Sequence, residues 1–173
     1  MTTFQIIAQV IGIFAAIGFI FSVQQKDRLR YMIMLTAAII LDATQYYFVG
    51  NYTSVFLYFG SIAFSFVVIG CILKKVETPK WVVYVYLLFL LVSGIWVWSG
   101  IIPFLPALAM MFIAYFQAVG NMRYIRIGTL LVALTWLANG IWSGSWTVCI
   151  GYVFQAVSAV VAIWRFRKAK GEG

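Results

Sequence analysis

Residue types on which enzymes and soluble domains depend are scarce in this chain. Of 173 residues none is histidine, four are acidic and only 9% are charged. Hydrolytic and metal-dependent catalysis rely on histidine and on clustered carboxylates, so we expect neither an enzyme nor a metal site, and no cofactor. The two cysteines, Cys71 and Cys149, lie in apolar segments. Their spacing indicates small buried side chains rather than a disulfide framework.

Apolar side chains are what the chain has in excess. Hydrophobic residues make up 65% of it, and the mean hydropathy is +1.03. A soluble domain of this composition would expose large apolar patches, whereas a bilayer tolerates them, so lipid is the predicted partner. The pI near 9.7 does not indicate a nucleic-acid partner, because the basic residues lie in short clusters between apolar runs. The first run lacks the basic flank of a secretory signal and is expected to be retained.

Seven apolar segments are long enough to cross the hydrocarbon as helices, which takes about 20 residues each. The sequence therefore predicts an all-α polytopic membrane protein in a single membrane domain, 1–173. The predicted spans are Phe4–Val23, Tyr31–Val49, Tyr52–Leu73, Trp81–Trp98, Ile102–Val119, Tyr124–Trp142 and Trp146–Trp164.

The distribution of basic residues supports the count of seven. All 12 Lys and Arg residues follow the odd-numbered spans, and none follows an even-numbered span or lies in the N-terminal tail: Lys26, Arg28, Arg30, Lys74, Lys75, Lys80, Arg123, Arg126, Arg165, Arg167, Lys168 and Lys170. Cytoplasmic loops carry the Lys and Arg excess of membrane proteins. The pattern predicts an outside N-terminus and a cytoplasmic C-terminus.

The first three spans match the last three. At an offset of 93 residues, Gln24, Arg30, Tyr31 and Thr36 fall on Gln117, Arg123, Tyr124 and Thr129. With one residue of slippage, Gln45, Gly50 and Tyr58 fall on Asn139, Gly144 and Tyr152. The prediction is two parallel three-helix repeats, 4–73 and 102–166, joined by a linker helix over 81–98. Parallel repeats related by an axis along the membrane normal occur in several transporter folds.

Asp42 is an acidic residue inside an apolar span, where a bare carboxylate costs about 3 kcal/mol on insertion scales. Helical spacing places Gln45 and Tyr46 on its face of the helix. One interpretation is a solute site, a cation site or a proton-titrating group. The alternative is a hydrogen-bonded packing residue near the outer interface.

Other polar residues recur at equivalent positions in the two repeats. Gln45 and Asn139 form one pair, which would suit a neutral polar solute or would join helices by hydrogen bonds. Tyr58 with Ser61, and Tyr152 with Gln155, form polar stripes that should face the interior of the bundle. Trp136 would stack on a flat solute or serve packing. The candidate solute-binding residues are Asp42, Gln45, Tyr58, Ser61, Trp136, Asn139, Tyr152 and Gln155.

Several motifs carry a resemblance to a known family. The segments 24–31, 45–52, 139–144 and 162–167 resemble those of the YgjV-type bacterial inner-membrane proteins, over nearly the whole chain. That family is similar in architecture to the SWEET, SemiSWEET and PQ-loop transporters. The resemblance implies an inner-membrane location and alternating access for small polar solutes. It gives Ser61 and Gln155 a place in a mid-membrane site and makes the Trp136 and Asn139 region an outer closure.

Two functions remain open from the sequence. The first is transport of a small polar solute between two three-helix bundles, which the paired amides and polar stripes favour. The second is a non-transporting membrane scaffold or a subunit of a larger complex. It is favoured by the absence of proline from the first three spans, because proline hinges the first helix of each bundle in the transporters that the chain resembles. A homo-oligomer is compatible with either function.

Overall fold

Helices account for nearly all of the chain that the structure describes. The structure is a computed structural model that describes residues 3–50, 52–96, 101–142 and 146–168. These ranges contain seven helices and no strand: α1 Thr3–Val23, α2 Arg28–Val49, α3 Tyr52–Leu73, α4 Lys80–Trp96, α5 Ile101–Val119, α6 Met122–Trp142 and α7 Trp146–Lys168. The prediction of an all-α chain with seven helices is confirmed. Trp98 and Gly144, which belong to the predicted fourth span and to the repeat, lie outside the described residues.

Helix α2 begins three residues before the predicted Tyr31, because Asp27 caps its N-terminus. Asp27 has an extended backbone, and its carboxylate accepts a hydrogen bond from the backbone N–H of Arg30 at 3.1 Å. That bond satisfies one of the free donors of the first helical turn. Arg28 and Arg30 therefore belong to the helix rather than to the preceding loop. At the other end, Gly50 takes a left-handed conformation with φ 80°, as a helix C-terminus commonly requires.

The helices form two compact units, Met1–Val82 and Val83–Gly173. In the first unit α2 packs against both α1 and α3. In the second unit α6 packs against both α5 and α7. Also within the second unit, Gly94 of α4 lies close to Phe104 and Ala107 of α5.

Small residues form the surface of α1 that meets α2. Ala8 and Ala15 are buried. A Cβ atom added at Gly18 would lie 2.9 Å from the Cβ atom of Ala38, closer than side chains tolerate. Small residues at such an interface let two backbones approach, which strengthens van der Waals contact where lipid removes the hydrophobic driving force.

Large apolar side chains cover the outer surfaces of the helices. On α1 they recur at helical spacing and remain exposed: Ile6, Val10, Ile13, Phe14, Ile17 and Phe21. Three segments of the described chain have the length and hydropathy to cross a bilayer, namely Ile6–Val23, Val55–Leu73 and Cys149–Phe166. Segments Lys80–Trp96 and Phe104–Val119 are apolar but shorter. The chain therefore has the features of a multi-pass membrane protein.

Candidate functional site

A hydrogen bond joins the acidic candidate, Asp42 of α2, to a phenolic candidate, Tyr58 of α3. The Tyr58 hydroxyl donates to Oδ2 of Asp42 at 2.6 Å. This distance lies in the range of charge-assisted O–H···O⁻ bonds, which are about twice as strong as neutral ones. Both side chains are half-buried. The carboxylate, which is costly in an apolar span, thus has a donor from the neighbouring helix.

Tyr46 lies beside this pair. It follows Asp42 by four residues on α2, so both side chains leave the helix on nearly the same side. Its ring stacks on that of Tyr58, with 5.6 Å between centroids and 28° between planes. An aromatic contact on one face of Tyr58 and a hydrogen bond at its hydroxyl fix the orientation of the phenol. We refer to Asp42, Tyr46 and Tyr58 as the acid–phenol cluster.

Gln45 lies on α2 beside the acid–phenol cluster but contacts α1. Its amide group lies over Gly12, so closely that a Cβ atom at residue 12 would overlap it. The glycine therefore provides the space that the amide occupies. In the first unit, Gln45 thus contacts α1, whereas Asp42 contacts Tyr58 of α3.

Ser61 lies on the same face of α3 as Tyr58, one turn further along. It is buried, as is Ser65 on the following turn. The Ser61 hydroxyl donates to the carbonyl of Leu57 in its own helix at 3.2 Å. The polar stripe of α3 is therefore directed into the packed part of the unit rather than towards lipid.

In the second unit, two candidate residues form an aromatic stack. Trp136 of α6 and Tyr152 of α7 lie 5.8 Å apart between ring centroids, with 10° between planes. Trp136 also packs against a cluster formed by Ala109, Ile113 and Val132 of α5 and α6. It is therefore held by protein on more than one side, which matches a packing role.

The remaining candidates of the second unit are polar side chains at different depths. Asn139 is half-buried near the end of α6, and Gln155 is buried on α7. Ser158, one turn beyond Gln155, is buried as well. Cys149 is buried too, and its thiol lies 3.9 Å from the carbonyl oxygen of Leu137. The structure thus joins Asp42 to Tyr58 between α2 and α3, and Trp136 to Tyr152 between α6 and α7.

Comparison with known proteins identifies the family of this chain. The Imp-YgjV family model, which describes a bacterial inner membrane protein, matches residues 6–170. The chain belongs to the Imp-YgjV family. No curated protein and no solved structure matches it significantly. The family description agrees with the apolar spans and assigns the chain to the bacterial inner membrane.

Sequence reasoning missed one contact of this Imp-YgjV protein. It lies in the second unit, at the end where basic residues cluster. Arg126 of α6 is buried, and its guanidinium carbon lies 3.9 Å from the centroid of the Phe166 ring on α7. Arg165 approaches the same ring at 5.7 Å. Such cation–π contacts contribute up to about 2 kcal/mol when water is excluded. Forty residues separate the partners, so spacing along one helix gave no signal for them.

The chemistry available to the site is hydrogen bonding, aromatic contact and exchange of a proton at one carboxylate. Among the described residues, no group of three or more His, Cys, Asp or Glu side chains is arranged to hold a metal ion. The acid–phenol cluster places one carboxyl group and two phenols in an apolar helix pair.

Proposed function

We propose that this Imp-YgjV protein transports a small polar solute across the bacterial inner membrane by alternating access between two three-helix bundles, as in SWEET and PQ-loop transporters. The observation that carries the proposal is a pair of matching contacts. Residues 42 and 58 meet in the first unit, and residues 136 and 152 meet in the second. Under the proposed repeat these are the same two positions.

The matching contacts support a repeat because one joins α2 to α3 and the other joins α6 to α7, the helices that the proposed repeat makes equivalent. A further match lies nearer the start of α2 and of α6. Thr36 donates to the carbonyl of Met32 at 2.7 Å, and Thr129 donates to that of Ile125 at 3.0 Å. These residues correspond at the offset of 93 on which the repeat was proposed. In the proposed arrangement the N-terminus is outside and the C-terminus cytoplasmic.

The chemistry at the matched positions favours a solute that is polar but compact. Amides at Gln45 and Asn139 offer both donors and acceptors without charge. Ser61 and Gln155 add hydrogen-bonding groups one turn from Tyr58 and Tyr152. Because these side chains lie in helices otherwise suited to lipid, a polar solute would find partners there that the hydrocarbon lacks.

A second candidate function is that of a non-transporting scaffold or subunit of a membrane complex. The specific observation in its favour is the environment of Trp136, which contacts both Tyr152 and the α5–α6 cluster. In this interpretation the polar groups join helices, as buried polar side chains often do in membranes.

Uptake into vesicles tests the proposed function. Purified full-length protein is reconstituted in liposomes and offered labelled glucose, alanine, uridine and riboflavin in turn, with protein-free liposomes as the control. We expect saturable uptake of at least one labelled compound. Uptake equal to that of protein-free vesicles for every compound would favour the scaffold.

A further inference from the structure

The geometry points to the acid–phenol cluster as a proton-binding site. Asp42 takes up the proton, and the hydrogen bond from Tyr58 changes in strength with the charge of Asp42. The role of this proton as the coupling ion of a transporter rests on the proposed function. The binding of the proton to Asp42 does not. The carboxylate is half-buried, and it accepts a hydrogen bond of 2.6 Å from the neighbouring helix. The charge of Asp42 therefore affects the contact between α2 and α3.

In the described helices of the first unit, no basic side chain lies near Asp42 to hold it permanently ionised. Helix α1 has no Lys, Arg, Asp, Glu, Cys or Tyr residue, and α3 has no Lys or Arg. On α2 the nearest basic residue is Arg30, twelve positions away, which is about 18 Å along the helix. Among the described residues of these three helices, the titratable groups that face the carboxylate are the phenols of Tyr58 and Tyr46. Ionised Asp42 thus depends on a phenol rather than on a salt bridge.

A proton fits this site better than a metal ion does. Hard metal cations such as Ca²⁺ and Mg²⁺ need about six oxygen ligands. Here one carboxylate oxygen accepts from Tyr58, the Tyr46 ring covers the phenol, and the amide of Gln45 lies over Gly12 of α1. A proton needs a single oxygen, and Oδ1 of Asp42 can accept one from hydronium, which leaves water and gives the neutral acid.

Proton uptake changes the bond between α2 and α3. In the ionised state the phenol donates to a charged acceptor, and in the neutral state it donates to a carboxylic acid. Charge-assisted bonds are about twice as strong as neutral ones. Protonation therefore weakens the contact that ties α3 to α2, and deprotonation restores it.

Infrared difference spectroscopy on the purified full-length protein in nanodiscs, without any solute, tests the site. Acidification should produce the C=O band of a protonated carboxylic acid. The band should be lost in Asp42→Asn and retained in Glu77→Gln, which changes an exposed carboxylate between α3 and α4. Tyr58→Phe should retain the band at a higher wavenumber, because the acid carbonyl loses its donor. A purely structural role for Tyr58 would leave the band unmoved.

Three outcomes would overturn the site. One is a wild-type spectrum that equals that of Asp42→Asn at every pH. Another is a band in Tyr58→Phe at the wild-type wavenumber. The third is suppression of the band when choline in the buffer is replaced by sodium, since a metal ion would then compete for the carboxylate. Failure of vesicle uptake would overturn transport alone, because the infrared titration needs no solute.

Discussion

Replacing Trp136 with alanine should destabilise the protein by about 3 kcal/mol, the low end of the range for truncation of a buried aromatic residue. The side chain is half-buried, stacks on Tyr152 of α7 and packs against Ala109, Ile113 and Val132. Truncation removes both contacts and leaves a void that neighbouring helices fill only in part. Thermal unfolding in detergent micelles measures the loss.

Two further variants separate packing from solute stacking at Trp136. Trp142→Ala, which truncates an exposed tryptophan of the same helix, should change stability little. Trp136→Phe should recover most of the stability, because a ring remains to stack on Tyr152. If Trp136→Ala unfolds at the wild-type temperature, the residue does not serve packing, and the stack on Tyr152 is energetically unimportant.

Replacing Tyr58 with phenylalanine should destabilise the protein by about 1–2 kcal/mol, because it removes the donor from a carboxylate within an apolar helix pair. Hydrogen bonds to charged groups contribute about 1.5–3 kcal/mol in water-soluble proteins. In membranes, measured values are smaller because the unfolded chain also finds partners. Thermal unfolding at neutral pH measures the effect, with Tyr84→Phe on the exposed surface of α4 as the matched control.

A double-mutant cycle attributes that loss to the bond itself. Asp42→Leu and Tyr58→Phe each remove one partner, and the double variant removes both. The double variant should be less destabilised than the sum of the two single variants, because no polar group is then left without its partner. Additive effects would show that Asp42 and Tyr58 do not interact energetically.

The sequence predicted the helices well because hydrophobic length and charge clusters determine them in a membrane protein. Tyr52–Leu73 has the predicted bounds, and Met122–Trp142 differs by two residues at its start. Helix α2 begins earlier than the hydropathy pattern predicts, because a single carboxylate, Asp27, caps its first turn. An N-cap is a local hydrogen bond that a hydropathy pattern does not register.

The candidate site could be predicted only as a set of positions. Spacing along α2 predicts a shared face for Asp42, Gln45 and Tyr46. In the structure Asp42 and Tyr46 contact Tyr58 of α3, whereas Gln45 lies over Gly12 of α1. The partner of Asp42 could not be chosen, because contact with Tyr58 depends on how α2 and α3 cross. For the same reason the Trp136–Tyr152 stack and the Arg126–Phe166 contact appear only in three dimensions.

The proposed transport requires that polar side chains of α2, α3, α6 and α7 border a water-filled path, and cysteine labelling tests this most directly. Single cysteines replace Gln45, Ser61, Asn139 and Gln155 in a background without Cys71 and Cys149, and a water-soluble maleimide is applied to membrane vesicles. We expect labelling at all four positions. Ser61 and Gln155, which are buried here, should react more slowly, through a second conformation. Cysteines at Phe59 and Phe154, on exposed apolar faces, should stay unlabelled in lipid. Four unreactive positions in a folded protein would contradict the account.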